Sequence, residues 1–218
     1  MLNNIKGAIF DADGTMLDTM YIWHNIAGEY LISRGKTPRP DLNEKLLGIG
    51  GHEIPLFFKS EYGLDETLAE IELGIHRMLE VFYHSKVDVK QGVFAVLDAL
   101  QMHGLKMCVA TATDRHLIEP ALENSGLLGY FNRLFTCGEE MTSKSSPDIF
   151  IRAATYLGTK ASETLVFEDA LYAVESAKNA GFIVVAVYDS HSEDDQEKIK
   201  ALSDYYFVHM DEMLDLLK

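Results

Sequence analysis

Asp11 and Asp13 stand two residues apart in Phe10-Asp11-Ala12-Asp13-Gly14-Thr15, directly after the short apolar run 7–10. That run reads as a first strand. Residues two apart in an extended chain point the same way, so both carboxylates can face one site. Neighbouring carboxylates repel, and a divalent cation relieves the repulsion. In open α/β sheets the carboxyl end of a strand is also where ligands bind. Gly14 permits a sharp exit of the chain and close backbone approach. The competing reading is an Asp-rich turn, in which Asp13-Gly14 supplies turn chemistry and nothing more.

Such a pair needs elements to hold it. Apolar, β-rich runs recur at 7–10, 105–111, 134–136, 165–167, 183–187 and 205–208. They do not alternate with polar residues, which suits strands buried on both faces of a parallel sheet. Helical patterns separate them at 93–103, 116–124, 147–157, 171–179 and 194–202. Alternating strand and helix predicts an α/β fold with a Rossmann-like, doubly wound and mostly parallel sheet. The block 16–89 breaks that rhythm, offering only helices near 19–33, 42–47, 53–61 and 66–84. The expected organisation is a catalytic core of residues 1–15 and 90–218, with an inserted helical cap over 16–89. Two hinge strands, after Thr15 and before Gln91, would let that cap open and close. Asp18 and Asp114 read as N-caps, and Asp148 as an acid in the first turn of its helix.

Composition narrows the function classes. The chain has 218 residues and a net charge of -15, which disfavours a nucleic-acid or anionic-membrane partner. A phosphate ligand therefore needs a locally positive site. Cys108 and Cys137 lack C-x-x-C spacing and read as reduced, packed thiols. No stretch approaches the ~20 apolar residues of a membrane span, and the N-terminal apolar run is too short for a signal peptide. The chain is expected to be cytoplasmic and monomeric.

Four separated segments, in order, carry a resemblance. They are Asp11-Ala12-Asp13-Gly14-Thr15; Thr111 in Val109-Ala110-Thr111-Ala112-Thr113; Lys144 in Ser143-Lys144-Ser145-Ser146-Pro147; and Glu168-Asp169 after Leu165-Val166-Phe167. With the helical insertion, the chain resembles the haloacid-dehalogenase-like hydrolase superfamily along its length, in the C1-capped phosphatase branch similar to β-phosphoglucomutase. Two positions depart from the pattern. Ser145 stands where relatives carry a proline, which keeps the ammonium but loosens the turn, and Met16 stands where leucine is usual.

The resemblance implies a Mg²⁺-dependent phosphatase acting on a small phosphorylated metabolite, a sugar phosphate among the options. Asp11 would be the nucleophile and Asp13 the general acid and base. Asp11, the Asp13 backbone carbonyl and Asp169 would hold Mg²⁺, with Glu168 ligating directly or through water. Thr111, Ala112 and Lys144 would hold the phosphoryl oxygens. Taken alone, Thr111 is a strand-end hydroxyl and Lys144 a loop lysine; their order and contexts give them these roles.

Substrate choice is expected in the cap. Met20, Trp23 and His24 lie on its first helix, although at helical spacing such residues more often pack a core. Gly48-Ile49-Gly50-Gly51-His52 falls where relatives place a specificity loop. Sugar-phosphate mutases carry an arginine there; His52 is the only cation near it in this sequence. A mutase is therefore the enzymatic alternative. A catalytically idle ligand sensor is the alternative from another class, and a dehalogenase is disfavoured by the second aspartate, Asp13.

Overall fold

Ala8, Ile9 and Phe10 are fully buried, so the run Gly7–Phe10 has no solvent side to alternate with. As strand β1 it takes a central place in the sheet. The computed structural model describes residues 4–47, 49 and 53–217. The sheet continues with β2 (Lys106–Thr111), β3 (Leu134–Thr136), β4 (Thr164–Glu168), β5 (Ile183–Val187) and β6 (Tyr205–Phe207). Its spatial order is β3-β2-β1-β4-β5-β6, and every pairing is parallel. Winding proceeds outward from β1 to β3 and then resumes on the other side at β4. The β1/β4 boundary is therefore the switch point at which such sheets open a crevice.

Helices α1 (Met20–Ser33), α2 (Leu42–Leu47), α3 (Ile54–Tyr62) and α4 (Leu68–Tyr83) follow β1, and α5 (Val93–Met102) leads into β2. The later crossovers carry α6 (Arg115–Asn124), α7 (Cys137–Glu140), α8 (Asp148–Leu157), α9 (Leu171–Asn179) and α10 (Gln196–Leu202); α11 (Leu214–Leu217) comes last. This is the Rossmann-like α/β fold the sequence predicts. No helix among the described residues is long and apolar enough to cross a membrane.

The period of two is visible in the core. Ile9, Cys108, Ala110, Val166, Val184 and Ala186 share a cluster with Ile149, Phe150 and Ala153 of α8 and Val174 of α9. Phe10 and Phe167, register partners on β1 and β4, stack at 4.1 Å. Burying each such ring contributes about 1.5–3 kcal/mol, and here the gain lies directly beneath the crevice. Both cysteines are free and buried, as expected.

The chain divides into two compact units, one running up to Thr19 and again from Lys86 onward, the other Met20–Ser85. Residues 16–19 and 86–89, which the sequence assigns to the inserted block, belong with the sheet. The reason is backbone pairing: Lys90 donates to the Met16 carbonyl and Asp18 to that of Asp88, each at 2.9 Å. The two expected hinge strands are single bridges instead, Asp13 with Leu17 and Leu17 with Val89. Within the helical unit, Tyr30, Leu31, Phe58 and Ile71 form the core, with Tyr30 and Phe58 stacked at 6.0 Å. Helix α4 starts on a reciprocal cap, Thr67 accepting from the Glu70 amide and Glu70 from that of Thr67.

Candidate active site

The Asp11 amide donates to the Phe167 carbonyl at 3.0 Å. This last ladder bond brings Asp11 off β1 beside Glu168, which ends β4, and Asp169, which follows it. Asp11, Glu168 and Asp169 are buried, and each offers a carboxylate oxygen within 4.8 Å of the others. Such crowding of charge away from water is costly unless it is compensated.

Compensation comes from Lys144, only 3% exposed, whose Nζ donates to Asp11 Oδ1 and, at 2.7 Å, to Glu168 Oε1. The path that buries this lysine is legible in the backbone. Met141 ends α7 at φ 49°, and the Thr142 amide returns to the Cys137 carbonyl at 3.1 Å. The Ser146 amide then reaches the Ser143 carbonyl at 3.2 Å. The turn around Lys144 therefore closes despite Ser145, before Pro147 starts α8.

Every carboxylate has a fixed orientation. Glu168 Oε2 accepts the amide of Asp169 at 3.2 Å. Asp169 Oδ1 accepts the Thr15 hydroxyl at 2.9 Å. Asp13 accepts Thr19 on Oδ1 at 2.6 Å and Thr113 on Oδ2 at 2.8 Å. Thr111, buried at the end of β2, accepts the Thr113 amide on Oγ1 at 3.1 Å.

Burial pushes the Asp11 carboxyl up to about 6; Lys144 pulls it down and Glu168 adds to the rise. Asp169 is also raised well above the usual carboxylate range, by burial and by the charges of Asp11, Glu168 and Asp189. Burial disfavours the charged form of Lys144, but Asp11 and Glu168 outweigh it and raise its pKa. With all three carboxylates ionised, the single ammonium of Lys144 would leave two negative charges uncompensated, so their full ionisation calls for a further cation. A dication of hard-oxygen preference such as Mg²⁺ fits that donor set. The Cys137 thiol, raised by burial, is poorly suited to act as a nucleophile.

The structure thus brings together Asp11, Lys144, Glu168 and Asp169. Asp13 and Thr111 are joined by way of Thr113, and Ala112 lies exposed between the two threonines. Met20, Trp23 and His24 stand on α1 of the helical unit. There the Trp23 indole donates to the Tyr83 hydroxyl at 2.8 Å, and the His24 ring pairs with the Asn43 amide at 2.8 Å. Trp23 is 39% exposed, so the core reading does not hold for it. His52 lies outside the described residues. Asp114 does occupy the N-cap position of α6, without a side-chain bond there. Helix α1 begins at Met20, which makes Thr19 rather than Asp18 the preceding residue.

Sequence reasoning assigns no role to the hydroxyls of Thr15, Thr19 and Thr113. For Thr113 a signal exists, since it repeats Thr111 at strand spacing. Thr19 is drawn to Asp13 only by the folded turn.

Known proteins resemble the whole chain. A curated Thermotoga maritima protein named phosphorylated carbohydrates phosphatase is 24% identical over 216 residues, covering 98% of this chain and 99% of its own. An Arabidopsis thaliana protein named (DL)-glycerol-3-phosphatase 2 is 27% identical, over 93% of this chain and 89% of its own. Among solved structures, a Thermotoga maritima protein provisionally assigned as a β-phosphoglucomutase superposes with a TM-score of 0.84 at 23% identity, covering 98% of both chains. The family model for haloacid dehalogenase-like hydrolases matches residues 8–187, and the chain belongs to that family.

Proposed function

We propose that the chain is a phosphoric monoester hydrolase that uses Mg²⁺ and works through a phosphorylated Asp11. The observation that carries this reading is the buried Lys144, held between Asp11 and Glu168 in a site where three carboxyl groups converge. An ammonium there holds the Asp11 carboxylate in place and offsets charge on the oxygens of a transferring phosphoryl group.

A carboxylate oxygen of Asp11 attacks phosphorus in line with the leaving oxygen. The P–O bond to the substrate breaks as Asp13 protonates the departing alkoxide. Asp13, now a base, takes a proton from water, which attacks the aspartyl-phosphate and releases inorganic phosphate with Asp11 restored. The Thr111 hydroxyl and the amide of Ala112 would bind phosphoryl oxygens at the start of α6. Asp11, Asp169 and the Asp13 carbonyl would hold Mg²⁺, with Glu168 beside them. Once bound, the ion would draw charge from the phosphoryl oxygens.

The helical unit, inserted directly after the strand that delivers Asp11, would serve as the cap that excludes water. Met20, Trp23, His24 and His52 are the residues proposed to choose the substrate. The named relatives act on phosphorylated carbohydrates and glycerol phosphate, so a small phosphorylated metabolite is the proposed substrate class.

The test is a screen of phosphorylated metabolites with Mg²⁺ and with EDTA, on the wild type and on Asp11→Asn. Phosphate release that needs both Mg²⁺ and Asp11 supports the reading; equal release by Asp11→Asn overturns it. Isomerisation of a hexose 1-phosphate without phosphate release would select the mutase. Binding without turnover would select the sensor.

A further inference from the structure

Lys90 lies in Val89-Lys90-Gln91-Gly92, a stretch without an acidic or phosphate-binding motif. Its Nζ donates to the Gly14 carbonyl, to the Tyr188 carbonyl at 2.7 Å and to Asp189 Oδ2 at 2.9 Å. All three ammonium hydrogens are thereby used. The side chain of Lys90 is 16% exposed and that of Asp189 4%. Asp189 also accepts the His191 amide at 2.9 Å and the His191 ring at 3.1 Å. Burial opposes its ionisation, yet the His191 amide and Lys90 hold its carboxyl below the usual range.

The location of the Gly14 carbonyl gives this contact its meaning. Gly14 sits at φ 82°, between Asp13 and Thr15, and Thr15 donates to Asp169. The turn closes on itself through the Gly14 amide to the Leu17 carbonyl, at 2.9 Å, and the Leu17 amide to that of Ala12, at 2.8 Å. Neither bond fixes the peptide that links Gly14 to Thr15. Lys90 does, and it ties that peptide to the end of β5. The Lys90 amide meanwhile binds the Met16 carbonyl at 2.9 Å, so one residue grips the turn by backbone and side chain.

We infer that Lys90, held by Asp189, is a positioning residue that sets the turn carrying Asp13 and Thr15. This rests on the phosphatase reading for its effect on rate. A buried ion pair joining two chain segments could instead serve stability alone, and the two roles separate under paired substitution. Removing only Lys90 strands a buried carboxylate; removing both charges does not.

The probe is p-nitrophenyl phosphate with Mg²⁺, and the variants are Lys90→Met, Asp189→Asn and the double Lys90→Met/Asp189→Leu. In Lys90→Met both Tm and kcat should fall, kcat by roughly ten- to a hundredfold with KM nearly unchanged. Tm should recover in the double variant while kcat stays down. Asp189→Asn should keep kcat within about threefold, because Lys90 retains both carbonyl bonds. Hydrogen exchange of the amides in residues 12–17 should quicken at least about tenfold in the double variant. If kcat returns with Tm in the double variant, or Lys90→Met keeps wild-type kcat, the inference is overturned. Should the wild type and Asp11→Asn both leave the probe intact, the phosphatase reading fails instead. Exchange then decides the Lys90 assignment, and an unchanged rate overturns it.

Discussion

Thr113 donates its hydroxyl hydrogen to Asp13 Oδ2 at 2.8 Å, across 100 residues of chain. With Thr19 on the other oxygen, the carboxyl group is fixed against rotation about its Cβ–Cγ bond. A group that hands a proton to a leaving oxygen and later takes one from water must stay within hydrogen-bond reach of both. For the acid and base role proposed for Asp13, the two buried threonines supply a fixed orientation.

Thr113→Val keeps the shape of the side chain and deletes the donor. The expected result is a roughly tenfold fall in kcat with KM little changed, while Thr113→Ser keeps most of the rate. Steady-state kinetics on p-nitrophenyl phosphate measures both. A change confined to KM would mean that Thr113 serves substrate binding rather than Asp13.

Lys144→Met removes the only ammonium bonded to Asp11 and Glu168 among the described contacts. Uncompensated buried charge should lower stability in EDTA by about 3 kcal/mol or more, and saturating Mg²⁺ should return part of it. The rate should stay at least about a hundredfold down with Mg²⁺ present, because the positioned charge is gone. Urea melts with and without Mg²⁺ check the first point. Full stability in EDTA would show that the carboxylates do not depend on Lys144.

Gly92→Ala tests a backbone position outside the site. Gly92 has φ 86°, and an added Cβ would lie 2.1 Å from the Asp211 backbone nitrogen. No side-chain rotation relieves that overlap, so the loss should reach about 3 kcal/mol or more. Gly35→Ala, at φ 71° with nothing within 4 Å, should cost only about 1 kcal/mol. Equal losses in denaturant melts would contradict the close approach at Asp211.

The elements legible in the sequence are those with one strong local cause. Apolar runs that lack alternation mark β1 to β5, because both faces of those strands are covered. The short helix Cys137–Glu140 shows no such period, and its start depends on the Thr136 hydroxyl accepting the Glu139 amide. The 3₁₀ turns of Ser190–Asp195 are likewise hidden in a polar stretch. At the site, Asp11, Lys144 and Glu168-Asp169 can be read because each sits at a strand end or in a short motif. The bonds from Thr15 and Thr113 cannot, since they join side chains only after strands β1, β2 and β4 are in register, and that from Thr19 waits on the folded turn after β1. Lys90 and Asp189 meet for the same reason, 99 residues apart.

The raised carboxyls of Asp11 and Asp169 set how Mg²⁺ and pH act together. A carboxyl raised by burial favours folding while protonated. Its contribution is fully present below its ordinary value of 3.8, and for Asp11 it is lost as pH rises through about 6. In EDTA Asp11 therefore pulls stability down between about pH 4 and 6 and stays charged and costly above it, and Asp169 acts in the same direction as it ionises. Mg²⁺ bound as proposed would reverse the sign, because it takes the ionised form and must compete with the proton below that range. Its affinity should weaken about tenfold per pH unit below 6 for each proton displaced. The gain in Tm on adding a fixed Mg²⁺ concentration should accordingly be small at pH 5 and larger at pH 7.5. Scanning calorimetry at the two pH values reads this difference directly. Asp11→Asn should flatten it, since the amide has no proton to lose. An equal gain at both pH values in the wild type would show that Mg²⁺ binds without drawing on Asp11.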